Sequence, residues 1–333
     1  MLRKGLKGVS EEDAERLLDK TMMLFRYLQE KDVFEKYYKQ HLAKRLLGGR
    51  TVSDDAERSF IVKLKTECGY QFTSKIEGMF TDVRTSRDTM AAFKSHCLDT
   101  SRHIGDGIGS VGGADAVART ASAADAVDMG GVELSVQVLT TGSWPTPAGA
   151  HCNLPAELER CCEAFRMFYL SKHTGRRLVW QTNMGSADLR ATFSGGRHEL
   201  NVSTYQMCIL LLFNSADTLS YADIATQTAI PTSDLKRNLQ SLACVKGKNV
   251  LRKDPAGRDI DDGDVFHFND RFSSKLHKVK IGTVAAQKES EPEKAETRQR
   301  IEDDRKPQIE AAIVRIMKAR RVMEVCASDL EIW

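Results

Sequence analysis

The apolar residues of this chain change period part-way along it, and that change bounds the fold. From residue 10 to about residue 100 they recur every three or four positions, the spacing of one helix face. In "GVELSVQVLT", residues 131–140, Val132, Leu134, Val136 and Val138 alternate with Glu133, Ser135 and Gln137, the pattern of a half-buried strand. A chain that reads one way and then the other is mainly α with a small α+β part. At 333 residues it is long enough for two or three cores.

Residues 1–101 read as a helical bundle. Ser10 caps a first helix with Glu11, Glu12 and Asp13 in its opening turn, and Leu17, Leu18, Met22, Phe25 and Leu28 form its stripe. A second runs from Asp32 through Val33, Phe34, Tyr37, Tyr38, Leu42 and Leu46 to the stop at Gly48-Gly49. Asp54 to Glu57 resembles a capping box opening a third, and shorter helices are predicted over 73–80 and 88–96. Residues 102–130 are Gly, Ala, Ser and Asp with no sustained period, which reads as a flexible insertion.

Residues 131–202 read as an α/β domain with a small antiparallel sheet: the strand at 132–138, a helix over 155–169, and strands at 177–182, 188–193 and 198–202. Residues 203–282 follow as helices at 203–213, 220–227 and 232–242, then "NVLRKD" and "DVFHFND" joined by the polar turn "PAGRDIDDG". Three helices and a β-ribbon are a winged-helix unit. Residues 283–306 are a charged linker passing into a helix, and Pro307 starts or kinks the last segment, 307–333.

Composition excludes several classes of function. A net charge of +3 does not argue for nucleic acid, and the wing carries Asp254, Asp259, Asp261, Asp262 and Asp264, which would repel phosphate. The same aspartates fail the calcium-loop register, because Gly263 falls one place early after Asp259 and no glutamate closes the loop. The longest apolar run, Met207 to Phe213, is far short of a membrane span. Eight cysteines without a CxxC spacing imply no metal site and a reducing compartment, cytosolic or nuclear. No nucleophile elbow, phosphate loop or HExxH occurs, so no catalytic residue and no cofactor are expected.

One residue near the C-terminus stands apart. In "IEAAIVRIMKARRVM", 309–323, Ile309, Ile313, Ile316 and Met317 share a helix face, and Lys318 lies opposite it between Arg315 and Arg321. A lysine amine can accept an activated acyl group, whereas the flanking guanidinium groups stay protonated and cannot compete.

Five segments are recognisable together. "KDVFEKYYKQHLAKRLL" (31–47), "SDDAERSFIVKLKTECGYQFTSKIEGMF" (53–80), "VLTTGSWP" (138–145), "STYQMCILLLFN" (203–214) and "IEAAIVRIMKARR" (309–321) resemble the C-terminal half of a cullin. "MGSADLRATF" (184–193) and "SKLHKVKIGTVAAQKES" (274–290) are most similar to the cullin-three branch, which uses BTB-domain adaptors. The resemblance implies a non-catalytic scaffold of a multisubunit ubiquitin ligase, acting in ubiquitin-dependent protein catabolism in cytoplasm and nucleus. It implies a four-helix bundle, an α/β domain and two winged-helix units. A zinc-bearing RING-box protein would add a strand to the α/β sheet and recruit the ubiquitin-conjugating enzyme; Val132, Leu134, Val136, Val138, Leu178 and Trp180 are the residues expected to receive it. Lys318 matches the acceptor of the ubiquitin-like modifier attached by neddylation. Three departures accompany the match. The family's adaptor-binding helical repeats precede this segment, so no BTB protein is expected to bind by that route. The insertion at 102–130 is longer than the family's loop, and "EVCASDLEIW" stands where the second winged-helix unit would continue, leaving it incomplete. The rival readings are a winged-helix DNA-binding regulator and a folded but inactive cullin fragment.

Overall fold

The helices of the first hundred residues form largely where the periodicity puts them: α1 spans Glu11–Arg26, α2 Lys31–Leu47 and α3 Asp54–Cys68. The computed structural model describes residues 9–48, 54–105, 131–145, 152–282 and 291–320. It divides into two units, Met1–Glu15 with Lys39–Val284, and Arg16–Tyr38 with Ala285–Trp333.

In the larger unit, Arg45 of α2 grips Glu57 of α3 with two hydrogen bonds of 2.5 and 3.0 Å. Gly69 then turns the chain with φ +83, a left-handed backbone that a side chain would resist. The fourth helix corrects an expectation. Instead of separate helices at 73–80 and 88–96, α4 runs unbroken over Tyr70–Gly105. The intervening Thr81–Arg87 is polar and interrupts the apolar stripe, but it contains no glycine or proline to end a helix. Residues 102–105 therefore belong to α4, and the rest of the expected flexible insertion lies outside the described residues.

After α5 (Ala156–Lys172) and a 3-10 turn at Thr182–Met184 come β1 (Ser186–Phe193) and β2 (Gly196–Ser203). They pair as an antiparallel hairpin with Phe193 opposite Gly196. The winged-helix unit follows as α6 (Thr204–Leu212), β3 (Thr218–Ser220), α7 (Tyr221–Thr228), α8 (Thr232–Ala243), β4 (Leu251–Asp254) and β5 (Val265–Phe268). Ser203 and Ser220 close reciprocal capping boxes with Gln206 and Asp223, which sets where α6 and α7 begin. Ile209, Ile224, Leu235, Leu239 and Leu242 share a core with Val250 and with Leu251 and Phe266 of a sheet ordered β3-β5-β4.

Two strands exceed the sequence reading. β3 adds an edge to the wing, and β6 (Lys278–Lys280) leaves the winged-helix segment to pair in parallel with β2. The sheet of the α/β part is thus mixed, ordered β1-β2-β6, rather than purely antiparallel. Val279 and Ile281 are buried where β6 docks.

In the smaller unit, Phe25 of α1 meets Phe34 of α2 edge to face with ring centroids 4.9 Å apart. The last helix, α9, covers Glu291–Arg320. Pro307 neither starts nor ends it but sits inside it, because strong helix formers on both sides outweigh one missing rung. Arg305 of α9 holds both carboxylate oxygens of Asp32, one of them at 2.8 Å.

Candidate functional site

The alternating segment at 131–140 forms no strand ladder with any described residue. Its side chains nevertheless obey the period. Val136 is buried, Val132, Leu134 and Val138 are half-buried, and Glu133, Ser135 and Gln137 are exposed. The buried face rests on an aromatic core between α4 and α5, made of Met90, Phe93, Phe165, Phe168 and Tyr169. Phe165 is the centre of it, 5.2 Å from Phe93 and 6.1 Å from Trp180, ring centroid to centroid.

The segment expected as a strand at 177–182 is likewise without a ladder. It is irregular until the 3-10 turn takes over at Thr182. Leu178 and Trp180 still share the core cluster with Leu134, Val136 and Val138, while Val179 between them is 59% exposed. The structure therefore gathers five of the six expected docking residues on one core. Val132 is half-buried outside that cluster.

Alternation of the backbone matters as much as alternation of the side chains. The amides of Val136, Val138 and Thr140 all donate toward α4, to Met90 Sδ at 3.3 Å, Ser86 Oγ at 2.8 Å and Asp82 Oδ2 at 2.8 Å. Asp82 also accepts from the Thr140 hydroxyl at 2.8 Å and from Trp144 Nε1 at 2.7 Å, which anchors the "TTGSW" turn. In an extended chain the amides of Glu133, Ser135, Gln137 and Leu139 face the other way. Among the described residues, no hydrogen bond satisfies them. This is a free strand edge of four outward amides, spanning residues 133–139 of an ordered segment. Periodicity could find the segment, but nothing local in sequence announced Asp82, Ser86 or Met90 as its supports.

Beside the second segment, Gln181 Oε1 and Asn183 Oδ1 are buried without a hydrogen-bond partner among the described residues. Gly185 is required there, since a Cβ on it would lie 2.2 Å from Thr204 Oγ1.

The remaining chemistry is poor in reactive groups. Burial pushes the Cys162 thiol up to about 11, with Cys161 and Glu159 adding to the shift, and burial likewise raises Cys97 and Cys244. Thiols so placed are poor nucleophiles. Among the described residues, no three His, Cys, Asp or Glu side chains are placed to hold a metal ion, and no helix is long and apolar enough to cross a membrane. On α8, Lys236 already contacts Asp262 of the wing at 3.0 Å and lies over the Tyr221 ring, and Arg237 faces Asp234 at 3.9 Å. Asp262 holds the Lys236 ammonium above its ordinary range.

Lys318 is exposed on α9, as is Arg315; Arg321 lies outside the described residues. The stripe expected opposite it is only partly covered. Ile309, Ile313 and Met317 remain 41–48% exposed, and Ala312 and Ile301 are the buried positions on this helix among the described residues.

Residues 1–90 match the family model of the cullin alpha solenoid domain, and residues 138–272 match that of the cullin alpha+beta domain. The chain belongs to the cullin family. Over 324 residues it is 64% identical to cullin-3B of Arabidopsis thaliana, covering 97% of this chain and 40% of that protein. It is 50% identical to cullin-3 of Dictyostelium discoideum (97% and 43% covered) and 45% identical to mouse cullin-4A (97% and 39%). Identity is higher to the cullin-3 proteins, in keeping with the cullin-three branch. This cullin chain spans about two-fifths of the length of those relatives.

Proposed function

We propose that this cullin chain is a non-catalytic scaffold in a cullin-RING ubiquitin ligase. A zinc-bearing RING-box protein docks by adding a strand along the free edge at Glu133, Ser135, Gln137 and Leu139, and brings the charged ubiquitin-conjugating enzyme with it. The observation that carries this reading is the edge itself: an ordered, apolar-backed segment whose inward amides are satisfied and whose outward amides are not. Such an edge is a template for β-augmentation, in which backbone bonds give affinity and alternate side chains give register. Leu178 and Trp180, seated on the same core, form the second wall of the docking site. The pairing of Lys236 and Arg237 with acidic neighbours weighs against the DNA-binding alternative.

Lys318 serves as acceptor for the ubiquitin-like modifier in the same assembly. Its exposure on a helix beside Arg315 supports that role.

Proline at an outward position separates this reading from a merely structural segment. Gln137→Pro removes one outward donor and places a ring in the path of the incoming strand, without touching the bonds to α4. Affinity for a purified RING-box protein should fall at least about tenfold with the melting temperature held. Undiminished binding by Gln137→Pro would sink the placement.

A further inference from the structure

α4 presents Gly78, Asp82, Ser86, Met90 and Lys94 at intervals of four, hence along one inclined ridge of its surface. The chain from Ser143 back to Glu133 runs along that ridge in the opposite direction. A Cβ on Gly78 would be 3.1 Å from Ser143 Oγ; Asp82, Ser86 and Met90 receive the amides of residues 140, 138 and 136; Lys94 Nζ binds Glu133 at 3.0 Å. We infer that this row of side chains on α4 stands in for a neighbouring strand, so that Asp82 and Ser86 are positioning residues that hold 136–140 extended, in fixed register, before any partner arrives. The inference rests on the docking reading above.

Spacing makes the substitution possible. Four residues of helix rise about 6.0 Å, and two residues of strand about 6.6–6.8 Å. Every fourth side chain of α4 thus keeps pace with every second amide of the segment, slipping about 0.7 Å per rung. Three rungs fit before the slip matters. The fourth would set Lys94 opposite Leu134, and a lysine has no acceptor to offer. Lys94 reaches the Glu133 side chain instead, which ends the row.

Ser86 is the central rung and reproduces both halves of a strand partner. Its hydroxyl accepts from the Val138 amide at 2.8 Å and donates to the Val138 carbonyl at 3.1 Å. Elsewhere on α4 the hydroxyls of Thr81, Thr89 and Ser95 bond to the carbonyl four residues back, the usual use of a helical hydroxyl. Ser86, 1% exposed, is turned outward from its own helix to the segment. An edge ordered in advance spares the complex the entropy of ordering it at the moment of binding, so these residues act on affinity without touching the partner.

The test compares the wild-type chain with Ser86→Ala, Ser86→Thr and Asp82→Asn. It measures residue-resolved amide exchange in the free chain and affinity for a zinc-loaded RING-box protein. Ser86→Ala should speed exchange at Val138 at least about tenfold and weaken the RING-box protein about three- to tenfold, mainly through slower association. Ser86→Thr, which keeps the hydroxyl, should restore both. Asp82→Asn keeps shape and one acceptor and should raise exchange at Thr140 more than at Val138. Unchanged exchange at Val138 in Ser86→Ala, or faster exchange with unchanged affinity, overturns the positioning role. If wild type itself fails to bind the RING-box protein, the docking reading falls, and the exchange measurement alone decides whether α4 orders the segment.

Discussion

Removing Lys253 from the wing should destabilise the winged-helix unit by about 3 kcal/mol. Its ammonium lies 2.7 Å from Asp264 Oδ2, with side chains 5% and 3% exposed, so the pair is shielded from water. Burial alone would push the Asp264 carboxyl up, but Lys253 and the Asp261 amide outweigh it and hold the group below the usual carboxylate range. Lys253→Met leaves the carboxylate buried with the Asp261 amide at 2.8 Å but without its cation. Breaking such a pair costs about 3–5 kcal/mol, and the surviving amide bond places this case at the lower end. At about 2–4 °C per kcal/mol, the melting midpoint should drop by roughly 6–12 °C in calorimetry at pH 7. Lys253→Met with Asp264→Asn removes the stranded charge and should recover most of the loss. The pH dependence has a fixed sign. In wild type the depressed carboxyl contributes stability that is fully present above about pH 4 and fades as pH falls through its lower folded value. The variant has less of that term to lose, so the gap between the two proteins should narrow below about pH 4. A double variant no more stable than Lys253→Met, or a gap independent of pH, would refute the reasoning.

Three further outcomes follow from the geometry. Phe165→Ala empties the centre of the aromatic core and should cost about 3–5 kcal/mol, read by chemical denaturation, with loss of RING-box binding as Trp180 loses its ring neighbour. Gly185→Ala forces a methyl group onto Thr204 Oγ1 and should cost about 1–3 kcal/mol; adding Thr204→Ala should relieve it, and no relief would locate the strain elsewhere. With the neddylation enzymes and a RING-box protein supplied, mass spectrometry should find the modifier on Lys318 and not in Lys318→Arg; equal modification of the variant would place the acceptor elsewhere.

Legibility in the sequence followed the range of the cause. Ser203 and Ser220 were readable as helix starts because a capping box is complete within four residues. The alternation at 131–140 correctly reported which side chains are buried, since that is a property of one strand face. It could not report pairing, which depends on what lies alongside, and what lies alongside is a helix. Asp82 and Ser86 were invisible for the same reason: a polar pair on a helix reads as solvent-facing until residues 138 and 140 are brought to it. The polar stretch at 81–87 consequently split one helix into two. β6 was missed because three residues carry no period, and its evidence is the distant β2. Pro307 shows the converse, a strong local signal overruled by its neighbours.

The parallel pairing of β6 with β2 has a consequence for synthesis. Lys278 meets Glu199 across 79 residues of sequence, and the whole winged-helix unit is threaded between those two strands. A nascent chain therefore emerges with the outer edge of β2 bare. At about 5–20 residues per second, the ribosome needs roughly 4–16 s to deliver the strand that covers it. Throughout that interval β2 is an open edge able to pair with another nascent chain. Arg197 and Glu199 stand on it as charged sentries, and Glu199 later receives Lys278 at 2.7 Å. The ion pair that finishes the sheet thus forms on a charge already standing along the open edge.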